Sequence, residues 1–327
     1  MLDSILRAPV AAPQQLHIPD GFLSAPVAIL AWIVTIAFMV VAVRRASREF
    51  DERLAPLMGV LAAFIFAAQA FNFPVAGGTS GHFLGGALAA ILLGPWPALL
   101  VMAAVIGLQG LIFQDGGLLA MGANIFVMGI VTVWSGYFLY QALQRVNRTV
   151  AGFAAGWLSV VLAAVVTAFL LALSGTASLG VVLTAMAGVH MLIGVGEGLI
   201  TVGALALVRA ALPGMFGEQV TGRKSDTTTL AAGGVALALV VGIVAVFFAS
   251  PHPDGLERVA EDAGFLGAAQ AAPFEIIPDY ALRGVSNEIL AGVIAVALGT
   301  LLLFAVGTGI ARVLRRRSAR RVEAVRK

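Results

Sequence analysis

The chain has 327 residues, of which 60% are hydrophobic and only 11% charged, with a formal net charge of +3. Soluble domains carry about 25% charged residues, so a water-soluble globule is excluded, as is a disordered chain, which needs the opposite balance. The sequence has no cysteine, which excludes disulfides, thiolate catalysis and cysteine-ligated zinc or iron–sulfur centres.

In chain order, residues 1–16 lack the continuous apolar stretch of a signal peptide and read as a short extension. A helix needs roughly 20 mostly apolar residues to cross a bilayer. Nine candidate spans follow, at about 24–43, 54–71, 82–94, 96–113, 118–143, 150–173, 184–210, 229–249 and 288–311. The third is short enough to be a half-span, and only Gly94-Pro95-Trp96-Pro97 parts it from the fourth. Glycines are scattered through the spans, and small residues let membrane helices approach closely. The predicted fold is therefore an all-α integral membrane protein, a compact seven-helix bundle (17–210) followed by a two-helix membrane module (229–311). Residues 211–228 read as a cytoplasmic linker, 250–287 as the sizeable outside loop and 312–327 as a basic cytoplasmic tail.

Lys and Arg in short loops set orientation. With the N-terminus outside and the C-terminus inside, every basic residue except Arg7, Arg258 and Arg283 is cytoplasmic. The tail then meets the membrane lipid surface or a partner, and no nucleic-acid partner is implied. Residues 217–225 (GEQVTGRKS) approach a P-loop, but Arg223 separates Gly222 from Lys224 and no strand precedes. No HExxH or nucleophile elbow is present, so no enzyme is predicted.

Polar groups in a membrane are costly and so mark candidate sites. His17 lies just before the first span and His82 at the outer start of the third, so the two can converge. Neutral imidazole suits nickel, cobalt, copper and zinc. Two histidines leave two readings open: a shared metal site, or a loop-capping His82 with an exposed His17. His190 and Glu197 are seven residues apart on one helix face. They read as a proton relay, a second metal site or, more simply, an interhelical polar network. Gln69, Asn72 and Asn124 read as helix-packing groups, the two asparagines also as pocket-lining candidates. The stretch 72–82 reads as a glycine-rich loop. His252 reads as a turn residue.

The stretches HIPDGFLS, FNFPVAGGTSGHFLGGALAAILLGPW, DGGLLAMGANIFVMG and HMLIGVGEGLIT closely resemble the substrate-binding membrane component of cobalt and nickel energy-coupling factor transporters, the CbiM/NikM type. PHPDGLERVAEDAGF resembles the small CbiN/NikN companion that gives the PDGLE domain its name. The resemblance implies a fused substrate-binding component in the inner membrane, importing Ni²⁺ or Co²⁺ as cargo with no cofactor of its own. Its implied partners are a transmembrane coupling protein and two cytoplasmic ATPases. The resemblance further implies a flat set of four nitrogens: a terminal amine, the backbone nitrogen and imidazole of His17, and the imidazole of His82. Asp20, Asn72 and Asn124 are candidates to accept the other N–H of a ligating imidazole, Asp20 alternatively forming a turn with Gly21, while Gly78, Thr79 and Ser80 belong to the loop that would bring His82 close to the N-terminus. A backbone amide must lose its proton to bind metal, so uptake should weaken in acid.

The pattern departs at Leu16, which stands where the family has its initiating Met. Two accounts are open. Translation starts at position 16 from a non-ATG codon, or residues 1–16 are retained and another ligand replaces the amine. The alternative function is a gradient-driven secondary transporter or channel for a divalent metal. That would need paired buried charges at mid-membrane, where Glu197 stands as the one acidic residue deep in a span.

Overall fold

The structure is a computed structural model that describes residues 17–48, 55–211 and 227–326. The extension 1–16 and the P-loop-like stretch 217–225 lie outside the described residues. In chain order the elements are α1 (Ala25–Arg48), α2 (Ala55–Gln69), the hairpin β1 (Phe73–Val75) and β2 (Thr79–Gly81), α3 (Gly86–Leu93), α4 (Pro95–Phe113) and α5 (Met121–Leu143). There follow α6 (Arg148–Leu173), α7 (Leu179–Ala211), α8 (Thr227–Phe248), α9 (Gly255–Asp262) and α10 (Glu288–Arg326).

Among the described residues, seven helices are long and apolar enough to cross a bilayer. Their outward faces fit that reading: Ile29, Leu30, Ile33 and Ile36 of α1 are all more than half exposed. Such an apolar stripe fits a face turned to lipid. By contrast α2, at 15 residues, is buried along most of its length.

Three expectations change. The third span is reduced to α3, eight residues and so about 12 Å long, because residues 82–85 form an extended segment instead. The stretch 72–82 is not a loop but an antiparallel hairpin, with Phe73 opposite Gly81 and Val75 opposite Thr79. Gly77 and Gly78 form its turn with positive φ and face open space, so Gly78 serves the turn and not a close approach to a ligand. The basic tail is helical, since α10 continues to Arg326.

The two-span part is not appended at the edge. Helices α8 and α10 pack on α2, and Ala295, Val296 and Leu303 of α10 belong to the same buried cluster as Met58 and Phe66. The crossing is close because it is made at glycines: a methyl group on Gly307 would sit 2.8 Å from the Met58 carbonyl oxygen. That is the small-residue contact which membrane helices use in place of a hydrophobic drive. Residues 250–287 then fold back over the hairpin and over the segment that begins at His17.

Candidate metal centre

The segment 17–20 lies against the loop between α4 and α5. The side chain of Asn124 accepts from the Ile18 amide and donates to its carbonyl, both at 3.0 Å. Gly117 N–H donates to the same carbonyl at 3.0 Å. The Asp20 carboxylate accepts from the amides of Leu118 and Ala120, each at 2.9 Å. A side-chain amide and a carboxylate thus supply the pairing that an isolated segment lacks. The loop must come very near: a methyl group on Gly116 would lie 2.8 Å from His17 Cβ, and one on Gly117 would lie 2.1 Å from an Asp20 oxygen. Two π-helical turns, Gln109–Phe113 and Ile125–Val131, flank this loop, a common placement beside functional sites.

His82 follows β2, and the residues after it are held from two helices. Glu197 of α7 accepts from the amides of Leu84 at 2.6 Å and Gly85 at 2.9 Å. Gln69 of α2 donates to the Leu84 carbonyl at 2.8 Å. Within a membrane, water does not satisfy non-helical backbone, so it needs such partners. Glu197 and Gln69 therefore let an extended segment run at bundle depth and place His82.

The two histidine rings meet, with centroids 5.9 Å apart and planes at 67°. A metal–imidazole bond measures about 2.0–2.1 Å, so the two rings are within reach of one ion. His17 Nδ1 donates to the Asp115 carbonyl oxygen at 3.0 Å, and an Asp115 carboxylate oxygen lies 3.6 Å from the same nitrogen. His17 Nε2 is buried without a hydrogen-bond partner, as a nitrogen reserved for a ligand would be. His82 Nδ1 lies 3.2 Å from the Phe83 carbonyl oxygen. Chelation of one ion by the His17 backbone nitrogen and its own ring closes through Nδ1, the nitrogen that here engages Asp115.

His17, His82, His190, Asn124, Met128, Met186 and Asp254 line a common cavity. Among the described residues, no three His, Asp or Glu side chains stand close enough together to hold an ion. His190 donates to the Met186 carbonyl at 2.8 Å. His190 and Glu197 thus have separate partners, and their shared helix face does not make them a pair. Asn72 is not a lining residue; its carbonyl accepts from Ser250 N–H at 2.7 Å. Thr79 and Ser80 bind the returning loop instead: Thr79 Oγ1 donates to Pro253 O at 3.0 Å and Ser80 Oγ to His252 O at 2.8 Å.

Three residues at the site were missed from sequence. Asp115 stands in the quoted DGGLLAMGAN stretch, which was a usable signal. Asp254 caps α9 by accepting from Glu257 N–H at 2.7 Å, and it reaches the cavity from the far part of the chain. Burial, with the charges of Glu257 and Asp115 adding, pushes its carboxyl up to about 8. Tyr280 donates to Asp115 Oδ2 at 2.5 Å. Burial and the Asp115 charge push its hydroxyl well above the ordinary range, so it stays a donor.

Fold and site together define a multi-pass helical membrane protein with a histidine-lined cavity. Residues 17–215 match the family model described as cobalt uptake substrate-specific transmembrane region, CbiM, and residues 228–316 match the PDGLE domain. The chain belongs to the CbiM family and carries a PDGLE domain after it. It is 37% identical over 310 residues to a protein of Archaeoglobus fulgidus provisionally named fused nickel transport protein NikMN, covering 92% of this chain and 99% of that one. It is 34% identical over 214 residues to the cobalt transport protein CbiM of Sorangium cellulosum, covering 61% and 93%. Among solved structures it is similar to a truncated transition metal transporter, at 30% identity and TM-score 0.55, covering 59% of this chain and 98% of that one. These relatives are transport proteins, and the chain is a transport component and not an enzyme.

Proposed function

We propose that this chain is the substrate-binding component of an energy-coupling factor importer for Ni²⁺ or Co²⁺ in the inner membrane. Its N-terminus is outside, and separate ATPases drive it through a transmembrane coupling protein. The observation that carries the reading is the meeting of His17 and His82 in one buried cavity, with His17 Nε2 left without a partner. Two imidazoles are a donor set for either ion, and the names of the relatives include both metals.

The two rings capture the cargo ion from the outer side. Asn124, Asp20 and Asp115 hold the His17 segment, while Glu197 and Gln69 hold the His82 segment. These outer partners fix ring orientation and so set affinity. The further nitrogens come from backbone at the start of the chain. The four-nitrogen set requires an amine at position 16 and a His17 Nδ1 released from Asp115. The PDGLE loop, bound to Thr79 and Ser80, covers the hairpin that carries His82.

Native mass spectrometry of the purified, metal-loaded protein tests the reading, since one spectrum reports the first residue and the bound metal. One Ni or Co per chain that begins at position 16 supports the four-nitrogen set. A full-length chain with one ion supports a two-imidazole site with a substituted amine. A chain that takes up neither ion overturns the proposal.

A further inference from the structure

Two more donors face the cavity that holds His17 and His82: His190 of α7, and Asp254, which caps α9. His190 Nδ1 meets the Met186 carbonyl oxygen at 2.8 Å. A carbonyl oxygen only accepts, so Nδ1 carries the hydrogen and Nε2 is the nitrogen with a free lone pair. Nε2 lies against the PDGLE loop: a methyl group on Gly255 would sit 3.1 Å from it and 2.7 Å from Cε1. Glycine at 255 therefore lets the loop, and Asp254 with it, come up to the ring.

Asp254 is 3% exposed, and it is held from both sides. Before it, Pro253 O accepts from Ser80 N–H at 2.8 Å and from Thr79 Oγ1 at 3.0 Å. After it, Leu256, Val259 and Ala260 belong to one buried cluster with Val182 and Met186 of α7. The Asp254 carboxylate accepts from Glu257 N–H at 2.7 Å. Among the described residues it forms no ion pair, with His190 or with any other basic group. A buried carboxylate without a counter-charge is costly. A divalent cation between Asp254 and His190 supplies that charge and takes the lone pair of Nε2.

We propose that His190 Nε2 and the Asp254 carboxylate form a second, labile subsite for the cargo dication, from which the ion passes to His17 and His82. This rests on the reading of His17 and His82 as the metal centre, and it leaves the ligands of that centre unchanged. A nitrogen and an oxygen donor together suit first-row divalent ions, and any proton on either group leaves as the ion enters. With two protein donors the rest of the coordination shell is water, so the ion is released readily. Closing the four-nitrogen set requires a backbone amide to lose its proton, and an ion waiting in the same cavity is at high local concentration when that happens. The subsite also joins the two parts of the chain, since His190 belongs to the first and Asp254 to the second.

The full chain is tested with His190→Gln, with Asp254→Asn, which keeps a capping acceptor, and with both. Stopped-flow mixing with Ni²⁺ reads loading, and transfer to excess chelator reads release. Each variant should slow both by about tenfold or more, so that equilibrium affinity changes far less than either rate, as a site on the path requires. The double variant should be about as slow as the slower single variant, since either loss breaks the subsite. A second readout uses His17→Ala with His82→Ala, which lacks the first centre. There, added Co²⁺ should broaden the imidazole ¹⁵N signal of His190, assigned through His190→Gln, and Asp254→Asn should remove that broadening. An ion held this weakly is lost on purification and is seen only with metal in solution. Parent-like rates in both single variants, or affinity that falls as far as the loading rate with release unchanged, would overturn the proposal. So would a His190 signal that Co²⁺ leaves sharp. If Asp254→Asn fails to reach the membrane, His190→Gln carries the same rates. If the parent binds no Ni²⁺ or Co²⁺, the reading of His17 and His82 fails, and the Co²⁺ broadening still decides whether His190 and Asp254 hold an ion.

Discussion

Asn124 and Ile18 exchange two hydrogen bonds of 3.0 Å, side-chain amide against backbone amide. The pairing imitates one rung of a sheet and fastens the residue next to His17 to helix α5. Asn124→Ala should free that rung. Ni²⁺ affinity should fall by about tenfold or more, the usual cost of losing a partner that orients a metal ligand. Calorimetric titration checks this, and unchanged affinity would show that Asp20 and Gly117 suffice to hold the segment.

His82→Ala removes the second imidazole and leaves a small residue beside the cavity. Metal binding should be lost while the protein still reaches the membrane. Membrane fractionation followed by metal analysis separates the two outcomes, and full retention of Ni²⁺ or Co²⁺ would remove His82 from the centre.

Glu197 has 0% exposure and satisfies the Leu84 and Gly85 amides. Glu197→Ala leaves both amides buried without an acceptor, at about 1–3 kcal/mol each. Thermal unfolding in detergent should show a clear loss of stability. Glu197→Gln, which keeps one acceptor oxygen, should fall between the parent and the alanine variant. Parent-like unfolding of Glu197→Ala would mean that water or another group reaches those amides.

Asp254 supplies the pH dependence. Its carboxyl is raised to about 8 in the fold from an ordinary 3.8, so the folded state binds the proton more tightly than the unfolded one. Stability contributed at this residue is full below the ordinary value and falls as pH rises through about 8. Metal-free thermal melts between pH 5 and 9 should fall with pH in the parent and less steeply in Asp254→Asn, which keeps a capping acceptor. Equal slopes would show that Asp254 titrates as it does in water.

The membrane class and the all-α fold were legible because they rest on composition and on apolar runs of bilayer length, which are local in sequence. The helices at 121–143, 148–173 and 227–248 fall near the expected ranges for that reason. The span at 82–94 came out shorter, because residues 82–85 form an extended segment that follows the hairpin. What stabilises that segment is remote: the amides of Leu84 and Gly85 are answered by Glu197, over a hundred residues away, and no periodicity near residue 84 announces it. His17 and His82 were legible as candidates because imidazole near a membrane surface is scarce and chemically pointed. The partners of His17 were not, since its ring meets Asp115, and Asp115 in turn accepts from Tyr280 of the second part of the chain. A sequence determines which groups are costly to bury. Only the tertiary structure decides which distant groups meet that cost, because hydrogen bonds form between neighbours in space.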